Sequence, residues 1–150
     1  MNIAVSSDMD EPVARQLVRE LEKRGHHVLP HGVLKDGDRT DWAFVSQAAA
    51  EDVAAGRADQ AVVCCWTGTG AALAANKVRG IRAALCTDAY TAAGARRWND
   101  ANVLAIGLRL TSGPQLVEIL DAWFDARVSE DPENSRNIAH IGVIEEEAGR

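Results

Sequence analysis

The sequence has no apolar stretch approaching the length of a membrane-spanning helix, and Met1-Asn2-Ile3 leads straight toward a strand rather than an apolar leader. It also lacks an excess of basic residues. Sixteen Lys and Arg stand against 22 Asp and Glu, a net charge of −6, which argues against a general nucleic-acid or anionic-membrane surface. Cysteine is scarce: Cys64, Cys65 and Cys86 are an odd number, and adjacent Cys64 and Cys65 project to opposite faces of a strand, so no disulfide framework is expected. No Cys-x-x-Cys spacing occurs and no histidine lies close by, which disfavours a zinc site. Internal repeats and low-complexity tracts are absent too. What remains is an ordinary globular composition at single-domain length, 150 residues, and the expectation is a cytoplasmic protein.

What is present is an alternation. Asn2 to Ser7 reads as a strand, with Asp8 at its carboxyl end as a helix cap or site residue. Pro12 suits a first helical turn, and Val13, Leu17, Val18 and Leu21 repeat at helical spacing until Gly25 stops them. His27-Val28-Leu29 begins a second strand, Lys35 to Thr40 is a polar loop, and Asp41 to Ala55 is an alanine-rich helix. Ala61 to Cys65 is the third strand and Ile81 to Leu85 the fourth. Asp88 is a candidate cap for a helix through Tyr90 to Arg97, and Asn102 to Ile106 is the fifth strand. Ser112 and Pro114 open an amphipathic helix carrying Leu116, Ile119, Leu120, Trp123 and Phe124. Residues 1–128 thus read as one α/β domain, and 129–150 as a C-terminal helical arm, hinged at Ser129 to Asn134, that packs on the same domain or a partner subunit. Five alternations imply a Rossmann-like three-layer αβα sandwich around a five-stranded parallel sheet, in expected order 2-1-3-4-5. Such sheets bind ligands beyond the carboxyl ends of their strands, where strands one and three would bring Asp8 and Cys65 to one crevice.

The centre of that crevice is the stretch from Ala61 to Lys77. A short valine-bearing run ends at Cys65, Thr67-Gly68-Thr69-Gly70 forms a turn, and Ala71 to Lys77 is helix-prone. Backbone N–H groups at a helix start have no internal partner, and glycines admit a ligand oxygen close to them, so an anion or developing enolate is stabilised there. Cys65 beside that positive end favours its thiolate, a base or nucleophile next to an oxyanion site. The competing reading is a plain strand-to-helix turn with cysteines as small apolar side chains.

Cys65-Trp66-Thr67-Gly68-Thr69-Gly70, followed by Ala74-Ala75-Asn76-Lys77 and Gly80-Ile81-Arg82-Ala83-Ala84, resembles the ribose-5-phosphate isomerase B and galactose-6-phosphate isomerase family. The family pattern is Cys-Gly-Thr-Gly-x-Gly and then Ala-Ala-Asn-Lys. Ser7-Asp8, Thr40-Asp41, Tyr90-Thr91-Ala92, Asn99 to Leu104 and Asp121-Ala122-Trp123 match in order, so the resemblance runs from Asn2 to about Ala126. It implies aldose–ketose isomerisation of a sugar or sugar phosphate through a cis-enediolate, without metal or other cofactor. Cys65 would be the base; Thr67 and the loop amides, with Trp66, Gly68, Thr69 and Gly70, would hold the substrate's oxygens. Asp8 and Asn99 match positions near the sugar hydroxyls, and sites lie between subunits of a homodimer or homotetramer.

Departures accompany the match. Trp98 stands where the family carries its ring-opening histidine, Met9 where a histidine often follows Asp8, and Trp42 where a site tyrosine lies. Trp98 reads equally as a stacking platform for the sugar and as interface packing. Of the paired arginines that hold phosphate from the arm, only Arg136 is in reach, and His140 is the first candidate to replace the lost acid. The departures imply a substrate that is short or already open-chain, an uncharged free sugar among the candidates, handled poorly as ribose 5-phosphate, and admit a second reading as a non-catalytic sugar- or metabolite-binding relative.

Overall fold

In the computed structural model, which describes residues 1–149, five parallel strands form one sheet with helices on both faces. The strands are β1 (Asn2–Ser7), β2 (His27–Gly32), β3 (Gln60–Cys65), β4 (Ala83–Leu85) and β5 (Val103–Gly107). The helices are α1 (Pro12–Lys23), α2 (Trp42–Ala54), α3 (Thr69–Ala75), α4 (Ala89–Asn99), α5 (Gly113–Asp125) and α6 (Pro132–Glu147). Caps form where the sequence offers them. The Asp88 carboxylate accepts the Thr91 N–H at 2.7 Å, and Ser112 and Gln115 form a reciprocal capping box at the start of α5. Asp8 is not a cap; Glu11 takes that position ahead of Pro12.

The sheet order is β2-β1-β3-β5-β4, so the expected 2-1-3-4-5 is corrected at its far edge. Burial explains the exchange. Every residue of β5 is buried, as suits an inner strand packed on both faces, whereas the three residues of β4 are only half-buried and sit at the edge. That edge is closed by a side chain. The Asn76 amide, just past α3, accepts the Ala83 N–H and donates to the Ala83 carbonyl, each at 2.8 Å, as a neighbouring strand would.

The two faces of the sheet hold different cores. Large aliphatic side chains from α1 and α5, including Leu17, Leu116 and Leu120, pack with Val5, Leu104 and Ile106 on one face, around fully buried Trp123. The Trp123 indole N–H is satisfied by the Gln60 side-chain oxygen at 2.7 Å. On the other face α2 and α3 present alanines, and Ala49, Ala50, Ala71 and Ala75 let these helices lie close to Ala61, Val63 and Ala105. Cys64 belongs to the first core and Cys65 to the second, as adjacent strand residues must. The arm helix α6 has no buried residue; Glu145 holds it by accepting the Gly80 N–H at 3.1 Å. Arg150, the end of the expected arm, lies outside the described residues.

Candidate active site

β1 and β3 are neighbours, with Ser7 opposite Cys64, so Asp8 and Cys65 leave the sheet side by side at its carboxyl end. Together with Trp42, Trp66, Thr67, Thr69 and Gly70 they line a crevice of about 300 Å³. Cys65 is the last residue of β3 and is 6% exposed, at the floor. Its carbonyl accepts the Leu108 N–H and that of Trp66 accepts the Arg109 N–H, both at 3.0 Å, so the chain beyond β5 holds the start of the loop.

The loop is seated on glycines. Gly68 caps α3 in the left-handed region at φ 78°, and a Cβ there would lie 2.8 Å from the Ile106 carbonyl carbon and 2.9 Å from the Gly107 nitrogen. A Cβ on Gly107 would meet the Thr67 carbonyl oxygen at 2.7 Å. The loop and β5 therefore touch backbone to backbone. Thr67 and Thr69 join their hydroxyls at 2.7 Å. α3 begins two residues earlier than the sequence suggested and has seven residues, so the first-turn N–H groups, rather than a long dipole, supply the positive end. Trp42 opens α2, and its ring occupies the space of a Gly70 Cβ, 2.9 Å from that position.

The charges fit a site that handles protons. One carboxylate oxygen of Asp8 is buried without a partner among the described residues, and burial raises the acid's pKa, opposed by its own backbone N–H. Cys64, wholly enclosed, has its thiol pushed well up by burial, and Cys86 is pushed up to about 12 for the same reason. Both are inert as bases at neutral pH. Among the described residues no group of three His, Cys, Asp or Glu side chains is placed to hold a metal ion.

Three residues expected at the site stand elsewhere in the single chain. Trp98 lies on α4 with its ring over Gly94, where a Cβ would be 2.5 Å from the indole, and meets Tyr90 edge-on at 5.9 Å. It borders, with Asn99 and Leu85, a cleft of about 390 Å³ along the β4 edge. Arg136 is exposed on α6 and lines neither cavity, and His140 is exposed on the same helix. His31 is half-buried and bonded to Asp52 at 2.7 Å.

One cation escaped the sequence reading. The Arg109 guanidinium stands 5.8 Å from the Trp66 ring centre, exposed and without a carboxylate partner among the described residues. Its signal was positional: Gly107 pairs in register with Cys65, so Arg109 falls just beyond the strand end that faces the crevice.

A doubly wound sheet with a thiol, a carboxylic acid and a glycine loop at the carboxyl ends of neighbouring strands defines an α/β protein with a polar small-molecule site. The chain belongs to the ribose/galactose isomerase family, matched over residues 3–141. It is 38% identical to a galactose-6-phosphate isomerase subunit of Clostridium acetobutylicum, over 100% of this chain and 87% of that protein. To a D-erythrulose-4-phosphate isomerase of Pectobacterium atrosepticum it is 33% identical, covering 97% of this chain and 95% of that one. The solved ribose-5-phosphate isomerase B of Clostridium thermocellum superposes with a TM-score of 0.90 at 35% identity, covering 99% of both chains. The protein is accordingly an aldose–ketose isomerase.

Proposed function

We propose that the protein interconverts a short, acyclic aldose phosphate and its ketose through a cis-enediolate, with the Cys65 thiolate as base. The observation that carries this is the floor of the crevice, where Cys65 lies against the glycine loop in a cavity it shares with Asp8. Cys65 Sγ removes the proton from the carbon next to the carbonyl. The electron pair moves onto the carbonyl oxygen, which faces the N–H groups of the loop and the Thr67–Thr69 hydroxyl pair. Returning the proton from Sγ to the neighbouring carbon, while a hydroxyl proton passes from one enediolate oxygen to the other, completes the exchange. Asp8, with one buried carboxylate oxygen left without a partner among the described residues, is placed to accept a hydrogen bond from the substrate's hydroxyls.

Substrate form follows from Trp98. Opening a sugar ring needs a group that titrates near neutrality, and an indole N–H does not. Erythrulose 4-phosphate, named for the Pectobacterium relative, carries its terminal oxygen as an ester and cannot close a five-membered ring, whereas galactose 6-phosphate can. Arg109 supplies a counter-charge for the phosphate at the rim, the role that Arg136 has when a second copy brings its arm across. The reading includes a cytoplasmic homodimer, burying more than about 1,000 Å², in which Trp98 and Asn99 of one copy face the crevice of the other.

The test is solvent deuterium exchange next to the carbonyl for erythrulose 4-phosphate, ribose 5-phosphate and galactose 6-phosphate. Exchange is expected on the four-carbon substrate, and Cys65→Ala should lower it by about 10²–10⁴-fold while leaving the fold intact. Turnover of ribose 5-phosphate at about 10 per second, with the four-carbon compound untouched, would overturn the substrate; unchanged exchange in Cys65→Ala would overturn the base.

A further inference from the structure

We propose that Trp66 fixes the chain length of the substrate: its indole is a rigid wall beside the base that admits a four-carbon phosphate and turns longer chains away. The proposal rests on the isomerase reading above and adds to it the residue that selects among substrates. In the family pattern the residue after the base is glycine, so at this position the chain has exchanged no side chain for the largest one.

The wall cannot yield by moving its backbone. Trp66 is tied on its carbonyl to the Arg109 N–H at 3.0 Å, and the residues that follow are pressed on β5 through Gly68 and Gly107, with no room for a single added carbon. Only rotation of the ring is left, and Arg109 flanks it, its guanidinium 5.8 Å from the ring centre. At 41% exposure the indole is still half in solvent, so packing of the core does not account for it. A second wall stands beside it, because the Trp42 ring packs on Gly70, 2.9 Å from where a Cβ would stand. Both indoles line the crevice that has Cys65 at its floor, and they are its two largest side chains. The discrimination this gives is steric, and one surplus carbon in such a pocket is worth about 10–200-fold.

Alditol phosphates of four, five and six carbons test the idea, since they have no carbonyl to turn over and cannot close a ring, leaving length as the variable. Titration calorimetry on the wild type should show affinity falling with each added carbon. In Trp66→Gly and Trp66→Ala the affinity for the six-carbon relative to the four-carbon compound should rise at least about 10-fold, and Trp66→Phe should keep the wild-type order. Circular dichroism and thermal unfolding check that each variant folds; should Trp66→Gly fail, Trp66→Ala decides. Equal affinity for all three lengths in the wild type, or the same length order in the alanine variant, overturns the proposal. Failure of the wild type to bind the four-carbon compound overturns the substrate class itself, an outcome distinguishable from the other two.

Discussion

Gly68→Ala separates two costs that the loop combines. The first is conformational: at φ 78° an L-residue in the left-handed region costs about 1–2 kcal/mol. The second is steric, because the new Cβ would stand 2.8 Å from the Ile106 carbonyl carbon and 2.9 Å from the Gly107 nitrogen, atoms of an inner strand that cannot move aside. Forcing a methyl into packed surroundings costs about 1–3 kcal/mol more. A total near 3 kcal/mol corresponds to a fall in Tm of about 6–12 °C for a chain of this size. Gly80→Ala is the matched control. Gly80 has φ 79° but, among the described residues, nothing within 4 Å of the position its Cβ would take, so it bears the first cost alone. Thermal unfolding of both variants therefore reads the steric share by difference. Relief of the clash by pushing the loop outward displaces Thr67 relative to Cys65, and a misplacement of about 1 Å can cost about 10²-fold in rate. Equal Tm losses in the two variants, or full activity in Gly68→Ala, would refute the claim that loop and strand are locked together.

Other perturbations follow from the same geometry. Asp8 has a raised pKa because burial disfavours its ionised form, so at neutral pH the native state bears a charge it would rather not hold, and stability from this group grows as pH falls through the raised value. Asp8→Asn should then raise Tm at pH 7, lose that advantage in acid, and lower turnover, as thermal melts across pH and exchange rates will show. His26 is the opposite case. Burial holds its pKa below the ordinary 6.5, helped by the chain's amino terminus and Arg24, as the ring stacks on Phe124 at 4.5 Å. The unfolded chain takes up the proton first, so stability is full above about pH 6.5 and drains away as pH falls toward the lower folded value; His26→Gln should flatten the Tm profile across that window. Trp98→His should raise exchange on ring-forming sugar phosphates and leave acyclic ones nearly unchanged, measured as a ratio of kcat/KM.

The parts of the molecule written in local pattern could be read directly. The periodic apolar face of α1, the Ser112 start of α5 and the thiol-to-glycine passage at Cys65 each depend on residues within a few positions of one another. Which strand lies inside is a property of the whole sheet. Ile81 to Leu85 looks as strand-like as Asn102 to Ile106, yet Arg82 spends its N–H on the Asn102 side chain, and only Ala83–Leu85 pair with β5. Asp8, Cys65 and the loop come together because β1 and β3 pair in parallel with Ser7 opposite Cys64. Trp98, Asn99 and Arg136 do not join them within the chain, since α4 and α6 lie away from the ends of β1 and β3, and no spacing along a sequence says so. Arg109 escaped because no motif surrounds it; its meaning comes from the register of β5 against β3.

Asn76 has a consequence beyond closing an edge. α3 has seven residues, about 10 Å of helix at 1.5 Å per residue. It is clamped at one end by Gly68 against β5 and at the other by the Asn76 amide against Ala83. It is a strut spanning two strands, too short to bend and without slack at either anchor. The crevice residues Thr67 and Thr69 therefore sit at the end of a helix tied to both β5 and β4, and the sheet's outer strand is one helix away from the loop.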